Sequence, residues 1–532
     1  MNQLREKLEF ASITIRTREN ILSIQHSLSL FRNITSLGLI LIGSLLSACT
    51  FASEDSKLPP IPIPVPLTTS ASILETNSLI ARVEGTLDIP GQLYVEYWAP
   101  GIDRLRTPVF SSEGTDFSVH LVRLQAVTEY SYIALGTNRD AEVSVGPTGK
   151  FVTGELPKVL NDAIFDVIRG KSTNDLTFLE FRQAGFMGLA AFDAKGHIVW
   201  YFEGPEDEQP YIMAQKPNRN IVYIAGHKGG TTGKGLVEIT PLGEEIDRLV
   251  DECSPFGPIH HDIDILQDER VMYLSRIIQH PGYGVPPKPQ EGDTIGIWDQ
   301  SRNRNDIFWN IFDHISPSDR TKPDSNRTLP GNPVWGGCDR DRKVQDWSHG
   351  ESISMAEDGS VLASFRHLDQ IISISPDFNS VQWRLGGPGS DFTFPDARDR
   401  FYHQHSVVAL PNGNVLLFDN GNHRPETEGR EYSRALELSL NMSTMTATKV
   451  WEYRHEPDIF SVCCSSVSRL DNGNTLILFG SVFGDLCCRP YVIVEVTSNG
   501  KVAWKVRHTS SNKTSQQRIY HSASIMGENR VK

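Results

Sequence analysis

HSVVALPNGNVLLF, residues 405–418, reads as an apolar strand, the turn Pro411-Asn412-Gly413-Asn414 and a second apolar strand. Asn-Gly between two apolar runs is a strong hairpin signal. Eight residues before Gly413 stands His405. The same step from each related turn reaches Tyr211 in YIMAQKPNRN, His261 in HDIDILQDER, Glu351 in ESISMAEDGS, Ser465 in SSVSRLDNGN and His521 in HSASIMGENR. These six copies are separated by 50, 90, 54, 60 and 56 residues. A second element, two strands around a turn ending in a large apolar residue, also occurs six times, at 188–202, 235–250, 295–312, 371–385, 435–453 and 491–506. Four-stranded blades of roughly 40 to 50 residues plus loops fit this spacing. The expected fold is all-β, a six-bladed β-propeller over residues 165–532, with a long loop from about Ile277 to Gln345 in the widest gap. The first outer element precedes any inner one and the last inner one lacks an outer partner, so the C-terminal strand is expected to complete the first blade.

A chain of 532 residues is too long for one ordinary core unless it is a repeat array, which agrees with this reading. A net charge of -14 supplies no general basic field and excludes nucleic acid as the expected partner. Short alternating runs over residues 70–153 predict a small accessory β-sandwich. Its LQAVTEYSYIAL (124–135) resembles the end of a fibronectin-like sandwich, in which a Tyr at a strand start bonds back to the preceding corner.

Residues 34–48, ITSLGLILIGSLLSA, form an apolar run shorter than the roughly 20 residues of a spanning helix, and they end in Leu-Ser-Ala-Cys49. That ending resembles the lipobox of bacterial lipoproteins. The expectation is a signal peptide at 1–48, lipidation at Cys49, a Pro-rich tether at 49–69, and an exported, periplasmic or cell-surface protein held to the membrane by its lipid. Export would place the six other cysteines where disulfides persist. Cross-pairing of Cys463-Cys464 with Cys487-Cys488 and a Cys253–Cys338 bridge are the candidates, and no C-x-x-C spacing points to zinc or redox chemistry.

Inner strands of propeller blades start near the central channel, so the register positions converge on one axis. Three histidines among six such positions mark a site rather than six structural strand starts. Here a resemblance becomes specific. FYHQHSVVALPNGNVLLFDNGNHRP (401–425), IHHDIDIL (259–266), and DWSHGESISMAEDGSVLASFRHLDQIISI (346–374) followed by WRLGG resemble the bacterial arylsulfate sulfotransferases over about two thirds of the chain. The resemblance implies a periplasmic enzyme that moves a sulfuryl group from a small aryl sulfate donor to a phenolic acceptor through a sulfohistidine, without nucleotide donor or cofactor. Carried over by motif, His405 would be the nucleophile, and His261, His349 and Arg366 would hold the sulfuryl oxygens. Tyr211, Glu351 and His521 would complete the substrate site from their register positions. One departure matters: Glu351 stands where the family has Asn, and an ionised Glu repels sulfate whereas a protonated one could donate as Asn does.

The chemistry can also be argued from the residues. Sulfuryl transfer needs positive charge around spreading oxygens and an in-line nucleophile, which Arg366, protonatable histidines and a neutral imidazole can supply. No GxxxxGK[ST] or strand-linked GxGxxG indicates a nucleotide. Asp419-Asn420-Gly421-Asn422 reads equally well as a plain turn. His260, His280, His367, His403 and His423 read as loop or supporting residues. Two other functions stay open: a metal-dependent enzyme with His261, His405, His521 and Glu351 as ligands, and a non-catalytic surface-binding propeller. A homodimer also stays open.

Overall fold

The structure, a computed structural model, describes residues 62–531 apart from 164, 171–175, 184, 228–232, 251–257, 280–288, 318–344, 430–431, 481–490, 509–518 and 523. Cys49, Cys253, His280, Cys338, Cys487 and Cys488 lie outside the described residues, as does the leader. Among the described residues no helix is long and apolar enough to cross a membrane.

Six antiparallel sheets follow one another along the chain. The second holds Glu208–Gln215, Ile221–His227, Gly233–Ile239 and Glu245–Val250, paired in that order. The third holds Ile259–Ile265, Val271–Gln279, Gln290–Asp299 and Arg304–Asn310. The fourth holds Gly350–Met355, Val361–Phe365, Gln370–Ile374 and Val381–Leu385. The fifth holds His405–Ala409, Val415–Asp419, Arg434–Asn441 and Thr446–Arg454, and the sixth Ser466–Arg469, Thr475–Phe479, Val492–Val496 and Val502–His508. The first holds Leu176–Gln183, Phe186–Asp193 and Ile198–Glu203, and its inner edge is Tyr520–Ser522 from the chain's far end, with His521 opposite Thr177. One strand was not legible in the repeats: Phe165–Gly170 adds to the outer edge of the sixth sheet. The segment read as a long loop contains two strands, Gln290–Asp299 and Arg304–Asn310.

The register of the repeats is physical. In five of them the same turn closes the inner hairpin, with the N–H of Arg219, Glu269, Gly359, Gly413 and Gly473 donating back to the carbonyl three residues earlier. All five residues have φ between 66° and 83°, the left-handed region in which glycine is least strained and which three of the five positions fill with it.

Each sheet buries one face against the next. Met213 and Tyr223 pack on Phe178 and Leu189, Ile263 and Tyr273 on Tyr211 and Ile224, Ile353 and Phe365 on Ile295 and Trp309, Val407 and Leu417 on Leu362 and Ile371, and Val467 and Ile477 on Leu416 and Phe418. Leu470, Leu478 and Ile493 of the sixth sheet pack on Leu179, Phe181 and Ala190 of the first, so the apolar cores run from sheet to sheet in a cycle.

Neighbouring inner strands are also clasped by side chains that bond the next strand's backbone. Asp262 and Asp264 accept from the N–H of Ile353 and Met355 at 3.0 and 3.1 Å. Ser352 and Ser354 accept from Val407 and Ala409 at 2.7 and 3.1 Å, and Ser406 accepts from Val467 at 3.2 Å. The alternation in HDID, ESIS and HSVV thus places one side chain toward the neighbouring strand every second residue.

N-terminal to the repeats, Pro66–Leu74, Asn77–Leu87 and Asp116–Leu121 form one sheet. Gly91–Trp98, Leu105–Arg106, Glu129–Thr137 and Val143–Val152 build another, and they share a core of Val83, Leu93, Val95, Tyr97 and Phe117. The strand at Pro66 begins inside the stretch read as a tether. As first residue of an edge strand, Pro66 sacrifices no ladder bond. Tyr130 Oη accepts from Gln125 N at 3.0 Å, the corner bond expected from the sequence. Asn529–Arg530 at the C-terminus pairs with Leu105–Arg106.

Candidate active site

Five of the residues singled out by sequence meet at the inner strand starts: His261, His349, Glu351, His405 and Arg366. Local backbone aims them. His261, His349, His403, Ser406 and Cys464 all have φ between 51° and 60°, and strand registers shift beside Glu351 and Ser406. Bulges re-aim side chains out of a ladder, at a cost that the surrounding sheet must sustain.

His405 Nδ1 donates to Asn420 Oδ1 at 2.7 Å, and Asn420 Nδ2 donates to the Ser461 carbonyl at 2.7 Å, which fixes the amide's orientation. A proton of His405 is therefore held on Nδ1, with Nε2 turned to Cys464 and Glu351. That Nε2 receives the Cys464 N–H at 3.2 Å and lies 3.0 Å from Glu351 Oε1. Gln404, beside it in the chain, donates to Ser364 Oγ and to the Gln370 carbonyl, tying this strand start to the fourth sheet.

His349 is held from both sides, with Nδ1 2.5 Å from Asp346 Oδ2 and Nε2 3.1 Å from Glu351 Oε1. Burial pulls its pKa down, but Asp346 and Glu351 outweigh that and raise it to about 10, so it is a cation at neutral pH. Asp346 sits on Gln345–Asp346, a short strand parallel to Gln290–Asp299. Asp293 of that strand accepts from Ser348 Oγ and from Gly350 N. A Cβ at Gly350 would lie 2.9 Å from the Asp293 carboxylate, so only glycine admits this approach. Asp293 Oδ1 also lies 3.2 Å from His260 Nε2, and His260 Nδ1 pairs with His261 Nδ1 at 2.7 Å. Burial holds His261 well below the ordinary histidine pKa, against the opposing pull of Glu351.

Glu351 answers the question posed by its departure from the family motif. Burial would raise its pKa, yet His405, His261 and the bonds from His349 and His405 hold it well below the usual carboxylate range. It is a carboxylate shared between two imidazoles and not a protonated stand-in for Asn.

Arg366 starts a short turn at the end of Val361–Phe365, its N–H donating to the His349 carbonyl and Nη2 reaching Val462 O at 3.4 Å. The sulfurs of Cys463 and Cys464 lie 2.9 Å apart, and the cysteines expected to cross-pair with them, Cys487 and Cys488, lie outside the described residues. The Cys464 thiol, then the charges of His405 and Arg366, bring Cys463 down to about 6 against the effect of burial.

Tyr211 is placed elsewhere. It is fully buried in the core between the second and third sheets, its hydroxyl donating to Ile259 O at 3.4 Å, because this large ring fills the sheet interface. Of His521 only the backbone pairing is described. Sequence reasoning assigned no role to Asp346 or Asp293, and read Cys463 and Cys464 only as disulfide candidates. Asp346 did sit within the quoted Asp-Trp-x-His motif. Asp419-Asn420-Gly421-Asn422 is more than a turn: Asp419 pairs with Arg434, Asn420 holds His405, and Asn422 donates to Val462 O.

An arylsulfotransferase (ASST) family model matches residues 167–521, which span every one of these groups. The chain belongs to the arylsulfotransferase family. It is a sulfotransferase, and its chemistry is aryl sulfate transfer. No curated protein matches it. Among solved structures it is similar to virginiamycin B lyase from Staphylococcus aureus, at 12% identity over 67% of this chain and 89% of that one, with TM-score 0.32. It is also similar to a streptogramin B lyase, at 10% identity over 79% and 98%, with TM-score 0.33. A protein from Lactobacillus plantarum is 11% identical over 63% and 83%, with TM-score 0.35.

Proposed function

We propose that this arylsulfotransferase works through a sulfohistidine at His405 and uses no nucleotide donor. The carrying observation is the Asn420 lock: it holds a His405 proton on Nδ1, so that Nε2 is the nitrogen left to act as nucleophile once its own proton passes to Glu351 or water. In the first step Nε2 attacks sulfur, the N–S bond forms, and the aryl S–O bond breaks with its electron pair leaving on the phenolate, which takes a proton from water. In the second step a phenol oxygen attacks sulfur, the N–S bond breaks, its electron pair returns to Nε2, and the phenol proton leaves to water. Charge spreading over the sulfuryl oxygens is met by His349 and Arg366. A chromogenic aryl sulfate with varied phenol should give ping-pong kinetics. Intersecting lines of a sequential mechanism would count against the covalent step.

Six repeats, their cyclic cores and the shared C-terminal strand support a six-bladed β-propeller, and the paired N-terminal sheets with the Tyr130 corner support a fibronectin-like sandwich before it. The lipobox-like ending supports an exported lipoprotein, periplasmic or at the cell surface, anchored through Cys49. Cys49→Ser should release the protein from membranes, and unchanged retention would remove the anchor.

A further inference from the structure

The cradle beside His405 gathers histidine nitrogens and carboxylates. His260 Nε2 lies 3.2 Å from Asp293 Oδ1, and its Nδ1 pairs with His261 Nδ1 at 2.7 Å, so the other ring nitrogen of His261, Nε2, stays outside this pair. Asp346 fixes the His349 proton on Nδ1, and Asn420 does the same for His405. One ring nitrogen each of His261 and His349 and one Glu351 oxygen lie within 4.8 Å of one another. A sulfuryl oxygen placed among a lone pair and a carboxylate would meet repulsion, whereas a cation would be held. Histidines whose second nitrogen is anchored by a carboxylate or amide are the usual supporting arrangement of metal ligands.

We propose that His261, His349 and Glu351 bind a divalent transition cation, with Glu351 in place of the family's Asn as the residue that makes the site. Two imidazoles and one carboxylate suit zinc, iron, cobalt or manganese rather than magnesium or calcium. Binding replaces the proton that His349 Nε2 shares with Glu351, and that proton leaves to water. Three protein ligands leave a position open, which a sulfuryl oxygen of the donor fills while His405 Nε2 attacks; this last step rests on the sulfohistidine reading, and the cation site does not. The other cluster, Asp346, His349 and His367, serves as the anchor, since Asp346 is already bonded to His349 Nδ1.

The test is titration of the full chain with Co2+, read by visible d–d absorption, together with the metal content of the protein as isolated. One equivalent should bind to wild type and to His405→Ala. Binding should be lost in His261→Ala and in Glu351→Gln, which keeps the side chain's volume, with thermal melts confirming that both variants fold. Asp346→Asn should weaken binding about 10- to 100-fold. Wild type without stoichiometric metal, or Glu351→Gln binding as wild type does, overturns the site. So does chelator-stripped Glu351→Asn turning over aryl sulfate faster than wild type, for Glu351 would then only repel the donor. Metal bound by His405→Ala together with full turnover sinks the sulfohistidine and leaves the cation site standing. A sulfohistidine adduct formed on metal-free wild type overturns the filling of the open position by the donor.

Discussion

The second and fifth sheets carry the same inner device and use it for opposite ends. In both, the chain kinks into the left-handed region one residue past the register position, at Ile212 and at Ser406, and the strand register shifts there. In the second sheet the register residue is Tyr211, sealed in the core. In the fifth it is His405, held by Asn420 on one nitrogen and facing Glu351 and Cys464 with the other. The kink is therefore common to these two sheets and aims whatever side chain stands there. Chemistry arises only where a neighbouring strand supplies partners for a polar group.

Exchanging the two fates is the strongest way to break this comparison. His405→Ala should lower turnover by roughly 10³-fold or more while leaving the thermal melt close to wild type. Tyr211→Ala should cost about 3 to 5 kcal/mol of stability by opening a cavity, with kcat preserved in the fraction that stays folded. Loss of turnover without loss of stability in Tyr211→Ala would place Tyr211 in the site after all.

The clasps between inner strands give a smaller, pH-dependent effect. Burial pushes Asp264 from 3.8 up to about 6 while it accepts the Met355 N–H. A raised carboxyl stabilises the fold below the unfolded pKa and loses that contribution as pH rises through about 4 to 6. The loss is up to about 3 kcal/mol, reduced as far as water reaches this half-buried group. Asp264→Asn keeps the acceptor and should flatten the stability profile across that window. An unchanged slope in chemical denaturation at pH 4, 5, 6 and 7 would show that Asp264 ionises normally.

How much could be read in advance follows the same division. The turn residues and apolar alternation repeat locally, so the inner hairpins of five sheets and the outer strands of all six were legible from spacing alone. His261, Glu351 and His405 fell out of the same register. Tyr211 did not belong with them, because a register position says where a side chain starts and not whether a neighbouring sheet closes over it. His349 and Arg366 came only through motif resemblance, since neither lies at the eight-residue step. The partners Asp293, Asp346 and Asn420 were hidden because their contacts span 57, 3 and 15 residues without period. The strand at Phe165–Gly170 was missed because it pairs with Val502–His508 from the opposite end of the repeats.

Asn420→Ala probes the smallest effect that still separates the two sheets. It should leave His405 in place, release its proton to either nitrogen, and lower turnover by about 10- to 100-fold, with the donor's KM changed little. A fall in stability alone would make Asn420 a loop tie and no more.

The central claim is that His405 carries the sulfuryl group, and intact mass tests it directly. Wild-type protein exposed to an aryl sulfate without acceptor should gain the mass of one sulfuryl group, map it to His405, and lose it on addition of a phenol. The same exposure should leave His405→Ala unmodified. An adduct on another residue, or robust turnover by His405→Ala, would contradict the account.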